Sequence, residues 1–144
     1  MNINDVKPPA EFKYFEEQVT IHKHFSFICD NRIFFSNTAF KDLKNHHYSF
    51  SIEISSPVNA LGLATDFHLI DKIYDEEIGV KLDNCLLNET LPEMNTTAEN
   101  IAYWLFEEFS ARLPENDVLL KVTLYENPRQ GVTITKQMTL HKFT

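Results

Sequence analysis

Leu43-Lys44-Asn45-His46-His47-Tyr48-Ser49-Phe50-Ser51-Ile52-Glu53-Ile54 decides how this chain is read. Its second half alternates. Tyr48, Phe50, Ile52 and Ile54 share one face of an extended strand, and His47, Ser49, Ser51 and Glu53 share the other. Taken back at the same period, the alternation puts Lys44 and His46 in register with the apolar face, where the strand begins. A polar group opening a buried strand face marks either a functional site or an ordinary histidine at a turn.

The chain has 144 residues, enough for one domain with a sizeable core. Apolar residues make up 43%, with 12 Phe and only 3 Gly, which excludes a disordered chain. No glycine-rich phosphate cradle is present. A formal net charge of −8 argues against nucleic acid and against an anionic membrane surface as partners. No apolar run approaches the roughly 20 residues of a membrane span. Met1 to Val6 lacks the pattern of a secretory signal, and the 2 cysteines, Cys29 and Cys85, do not make a disulfide framework. These features point to the cytoplasm.

Outward from the central strand, Met1 to Glu11 reads as a flexible arm. An alternating run from Val19, with Ile21, Phe25, Phe27 and Cys29 on one face, predicts a strand ending near Asp30-Asn31. Ser36-Asn37-Thr38 is suited to cap a helical turn running to Leu43. After a loop over residues 55–59, Leu61-Gly62-Leu63-Ala64-Thr65 reads as a returning strand. Asp66 then caps a helix from about Phe67 to Ile78. Thr96 and Glu99 have the spacing of a capping box before a helix with Ile101, Leu105, Phe109 and Leu113 on its apolar face. Strands follow over Val118 to Glu126 and from Val132 to Leu140. The expected order is three strands, two helices and two strands, an α+β fold with the helices on one face of an antiparallel sheet.

Several segments, in order, resemble the family of 6-pyruvoyltetrahydropterin and 6-carboxytetrahydropterin synthases. Phe25-Ser26-Phe27-Ile28-Cys29 resembles its first strand, and Phe40 to Tyr48 its Cys-x-x-Leu-His-Gly-His segment. Gly62-Leu63-Ala64-Thr65-Asp66-Phe67 resembles its turn into the first helix. Leu82 to Asn88, Asn95 to Asn100 and Tyr125-Glu126 follow as its later elements. The likeness covers roughly residues 19 to 136. It implies a tunnelling fold, with a four-stranded antiparallel sheet carrying two helices on one face. It also implies self-association as a trimer or hexamer, with sites between subunits.

The family binds zinc through three histidines, and the corresponding positions here are Cys29, Lys44 and His46. Only His46 is retained. A cysteine thiolate binds zinc, but a lysine ammonium repels it. Zinc is therefore disfavoured, and no other cofactor is implied. The family's catalytic cysteine corresponds to Phe40, and its Asp-His pair to Asp83-Asn84, so Asp83 alone remains of the proton-transfer groups. Glu126 corresponds to the glutamate that anchors the pterin ring, and Thr97 lies near the same pocket by the resemblance.

Three readings follow. The chain is a divergent member that lacks the zinc chemistry and keeps a pterin- or purine-like pocket. Alternatively, it is a carbon–oxygen lyase on a dihydropterin, with Lys44 supplying the metal's charge and Asp83 acting as base. In the third, it is a structural or regulatory oligomeric subunit.

Overall fold

A computed structural model describes residues 1–140 of the chain. Four strands form one antiparallel sheet in the order β1-β2-β3-β4: β1 (Gln18–Phe34), β2 (Phe40–Pro57), β3 (Val118–Asn127) and β4 (Gln130–Thr135). Between β2 and β3 lie α1 (Phe67–Ile73), the short α2 (Leu87–Thr90) and α3 (Ala98–Ser110), and α4 (Lys136–Thr139) follows β4. The core is the apolar row of each strand packed under α1 and α3. Phe27, Tyr48, Phe50, Ile52, Ile54, Val122 and Leu124 are buried against Ile70, Ile101, Leu105 and Phe109. The alternating carpet of the opposite face includes Ser49, Ser51, Thr123 and Thr133, hydroxyl residues that tolerate solvent. No helix among the described residues is long and apolar enough to cross a membrane.

Four local expectations are corrected. β1 does not stop at Asp30-Asn31 but runs to Phe34, because Asn31 finds buried partners instead of turning the chain. Ser36 does not start a helix. Its hydroxyl accepts the Thr38 and Ala39 N–H groups and closes the β1–β2 hairpin, so Phe40 to Leu43 belong to β2.

The predicted strand at Leu61 to Thr65 is a turn. The Asn59 side chain accepts the N–H groups of Leu61 and Leu63, and Gly62 takes a positive φ of 84° that only glycine adopts freely. The last strand ends at Thr135, whose hydroxyl accepts the Met138 N–H and starts α4, leaving Met138 and Leu140 exposed. The observed order is therefore two strands, helices, two strands. The predicted helix over 67–78 is helical throughout, but it widens at Tyr74–Ile78 into a π turn.

β1 is an outermost strand, yet half of its free edge is covered. The Ile28 N–H donates to Asp83 Oδ1 at 3.0 Å, and the Ile28 carbonyl accepts from the Asn84 N–H at 2.6 Å. The Asp30 N–H donates to the Cys85 carbonyl at 2.9 Å. Further along, the Asn88 side chain accepts from the Arg32 N–H (2.8 Å) and donates to its carbonyl (2.9 Å). Asn95 does the same for Phe34, at 3.0 and 2.7 Å. A carboxamide presents an N–H donor and a carbonyl acceptor side by side, so each asparagine replaces one residue of a missing neighbour strand.

Candidate functional site

The site region lies where β1, β2 and β3 meet at one end of the sheet, and a bulge shapes it. Cys29 pairs with His46, but Asn31 pairs with Leu43, so Lys44 and Asn45 together face Asp30. Asn45 has a positive φ of 48°, and its N–H donates to Asp30 Oδ1 at 2.8 Å. The extra residue resets the alternation, and the inward row of β2 reads Leu43, His46, Tyr48. Lys44 is therefore not in register with His46, contrary to the simple alternation. It is exposed beside Asp42 and lines a cavity of about 440 Å³ with Asp30, Arg32, Phe34 and Leu86.

Cys29 and His46 are direct cross-strand partners. Cys29 is buried, and desolvation, with Asp30 next in effect, pushes its thiol up to about 12. His46 is half-buried. Its ring meets Tyr48 edge-on at 4.7 Å, and its Nε2 lies 2.6 Å from the Glu126 backbone carbonyl. A carbonyl only accepts, so Nε2 carries the proton and the lone pair of the neutral ring sits on Nδ1. Glu126 occupies the irregular step between Tyr125 and Asn127 in the β3–β4 ladder. Its carboxylate is close enough to contribute to the raised pKa of Tyr48.

Behind His46 lies a buried polar network that the sequence did not announce. Asn31 Nδ2 donates to the Tyr48 hydroxyl at 3.1 Å and to the Thr96 carbonyl at 2.8 Å, and the Thr96 hydroxyl donates to Asn31 Oδ1. All three residues are at most 2% exposed. Thr96 is consequently not the helix cap. Thr97 is, accepting the Asn100 N–H at 3.2 Å, so its side chain serves the first turn of α3. Asn31 read as a turn residue and Thr96 as a cap. The one available signal was their polarity between apolar neighbours.

The other predicted residues sit apart from this pair. Asp83 caps the β1 edge through Oδ1, and its Oδ2 faces Asn84 Nδ2 at 3.4 Å. Asn84 has a positive φ of 58°, which asparagine tolerates better than most residues. Phe40 stands against Phe34 at the start of β2, with the Arg32 guanidinium 3.9 Å above its ring. Arg32 is itself paired with Asp42 at 2.6 and 3.0 Å, and that bond holds the Asp42 carboxyl below the usual range. Thus Cys29 and His46 face each other across the ladder, His46 reaches the backbone of Glu126, and Thr97 joins them only through its neighbour Thr96. Asp83 belongs to the edge cap, and Lys44 lies outside the row. Among the described residues, no three His, Cys, Asp or Glu side chains are grouped to hold a metal ion.

Comparison with known proteins agrees with this architecture. The structure resembles that of 6-pyruvoyl tetrahydropterin synthase from Caenorhabditis elegans, with a TM-score of 0.69 at 20% identity over 84% of this chain and 98% of that one. It also resembles the Plasmodium falciparum 6-pyruvoyl tetrahydropterin synthase, with a TM-score of 0.62 at 17% identity over 83% and 98% of the two chains. A dihydroneopterin monophosphate aldolase from Pyrococcus furiosus is 29% identical over 94 residues, which span 65% of this chain and 79% of the relative. Residues 20–137, nearly the whole of the folded chain, match the family described as 6-pyruvoyl tetrahydropterin synthase, and the chain belongs to that family.

Proposed function

We propose that this protein binds a pterin-like ring at the Cys29–His46–Glu126 end of the sheet, without the zinc-dependent synthase reaction. The observation that carries the reading is the residue at the third position, Lys44, an exposed cation outside the row that holds Cys29 and His46. Two donors are left where the family uses three. One is a thiol whose burial opposes the thiolate, and the other is His46, which offers the single lone pair of Nδ1 while Nε2 donates to the Glu126 carbonyl. This donor set does not fit a zinc ion. Glu126 supports the ring-binding half of the reading. A strand-end carboxylate pairs with the adjacent N–H and amino donors of an aminopyrimidine ring in a two-pronged fashion.

The same reading includes self-association. β1 from Thr20 to Ser26 and all of β4 are sheet edges with no strand beyond them among the described residues. Such edges are commonly covered by another copy. Sedimentation velocity tests this part, and a monomer at all concentrations contradicts it.

Titration with neopterin, biopterin and guanine, followed by pterin fluorescence or competition, tests ring binding. Saturable binding that Glu126→Gln weakens by roughly tenfold or more supports it. Absence of binding to all three refutes it.

A second reading rests on the Pyrococcus furiosus relative, whose name makes it an aldolase on dihydroneopterin monophosphate. On that reading this chain cleaves a carbon–carbon bond in the side chain of a phosphorylated dihydropterin. Incubation with dihydroneopterin monophosphate separates the two. Release of a small aldehyde and a shortened pterin establishes the second, and unchanged substrate leaves the first.

A further inference from the structure

The chain's two cysteines lie on adjoining backbone segments. Asp30 and Leu86 form an isolated parallel bridge, and Cys29 and Cys85 are the residues immediately before them. The Asp30 N–H to Cys85 carbonyl bond (2.9 Å) and the Asn84 N–H to Ile28 carbonyl bond (2.6 Å) hold the two segments together on either side of the pair. Hydrogen-bonded strands run about 4.8 Å apart. That spacing falls inside the roughly 4.4–6.8 Å range of Cα separations that a disulfide spans. Both cysteines line one small cavity of about 190 Å³, together with Ile28, Asp30, Asn45 and Asn84. Both are free thiols. Cys85 is half-exposed, and its sulfur makes weak hydrogen bonds to the Val80 and Asp83 carbonyls, at 3.4 and 3.3 Å, whereas Cys29 is buried.

We propose that Cys29 and Cys85 form a reversible disulfide that fastens the segment around Asp83 to the edge of β1, beside His46. The oxidant is a small-molecule disulfide. Cys85, the more accessible sulfur, attacks it as a thiolate. The small disulfide's S–S bond breaks, and a mixed disulfide forms with one small thiolate displaced. The Cys29 thiol then loses its proton to solvent, and its sulfur attacks Cys85 Sγ and expels the second small thiolate. Two protein thiols lose two electrons, and the small disulfide gains them as two thiols. The bond places an oxidation-dependent brace directly behind the cross-strand partner of His46. It stands independently of the pterin reading.

Equilibration of the full chain with graded ratios of oxidised to reduced dithiothreitol tests it. Residual thiols are alkylated after denaturation, and intact mass and a non-reducing digest are recorded. Both thiols are expected to disappear together, with the loss of two hydrogens and a Cys29–Cys85 cross-linked peptide, and to return on reduction. Cys85→Ser is expected to leave Cys29 alkylatable at every ratio. Either thiol remaining alkylatable at the most oxidising ratio, or a cross-link found only between chains, overturns the proposal.

Discussion

His46 Nε2 donates to the backbone carbonyl of Glu126 across 2.6 Å, so the histidine at the opening of β2 fixes the strand-end glutamate on β3. The contact joins two strands that are not otherwise paired at this level, since the β2–β3 ladder begins at Ser49 and Tyr125. His46→Ala leaves that carbonyl without its donor and is expected to destabilise the chain by about 1–3 kcal/mol, read as a shift in the urea midpoint. His46→Gln, which keeps an N–H donor, is expected to recover part of the loss. Equal destabilisation by both variants would show that ring packing on Tyr48, not the hydrogen bond, is what His46 supplies.

Asn31 uses its whole carboxamide inside the core, donating to Tyr48 and Thr96 and accepting from Thr96. Asn31→Leu is close in size but leaves the Tyr48 hydroxyl and the Thr96 groups unsatisfied. The expected cost is about 2–4 kcal/mol, larger than for exposed polar residues on the same strand. Thr96→Val removes one member of the network and is expected to cost about 1–3 kcal/mol. Chemical denaturation of the two single variants and the double variant measures the coupling, and strict additivity would contradict a connected network.

Asn88 and Asn95 each need a donor and an acceptor to stand in for a strand residue. Asn88→Asp and Asn95→Asp keep the shape and remove the donor. Each is expected to cost about 1–2 kcal/mol and to speed amide exchange along Ile28 to Phe34, with β3 unaffected. Uniform exchange across the sheet would mean that these residues do not protect the edge.

Burial of Tyr48, partly offset by its bond from Asn31, raises its pKa from 10.0 to about 12. The folded state thus holds this proton more tightly than the unfolded chain does. The stabilising contribution is complete below about pH 10 and is lost as pH rises from 10 towards 12. Cys29 adds a loss of the same sign between about pH 9 and 12. Thermal unfolding from pH 8 to 11.5 is expected to show an accelerating fall in Tm that Tyr48→Phe reduces. An unchanged slope in that variant would contradict the assignment.

The sheet was legible because β2 alternates strictly from Tyr48 to Ile54 and Val122 and Leu124 continue its apolar row on β3, while Trp104, Leu105 and Phe109 mark the helix that covers them. Alternation carried back to Leu120 and Val118 fails, because a register shift opposite Glu53-Ile54 brings Leu119 into the core instead. Positions where one polar side chain overrides a local propensity were not legible. Ser36 and Asn59 close turns through side-chain hydrogen bonds, and Thr135 ends β4 by capping α4. None of these alters the hydrophobic period.

The bulge at Asn45 had a visible sign. The residue stands at the glycine of the Cys-x-x-Leu-His-Gly-His pattern, and its φ of 48° is the conformation glycine serves. Period-two counting passed straight through it and misplaced Lys44. That Cys29, His46 and Glu126 belong to one end of the sheet came from the resemblance and not from periodicity, because the three lie on three different strands.

The most direct test of the central claim is a neopterin titration of the purified protein, performed before and after treatment with a strong zinc chelator and again after zinc is added back. The account predicts saturable binding of equal affinity in all three conditions. Binding that is lost on chelation and restored by zinc would contradict it, and so would no binding in any condition.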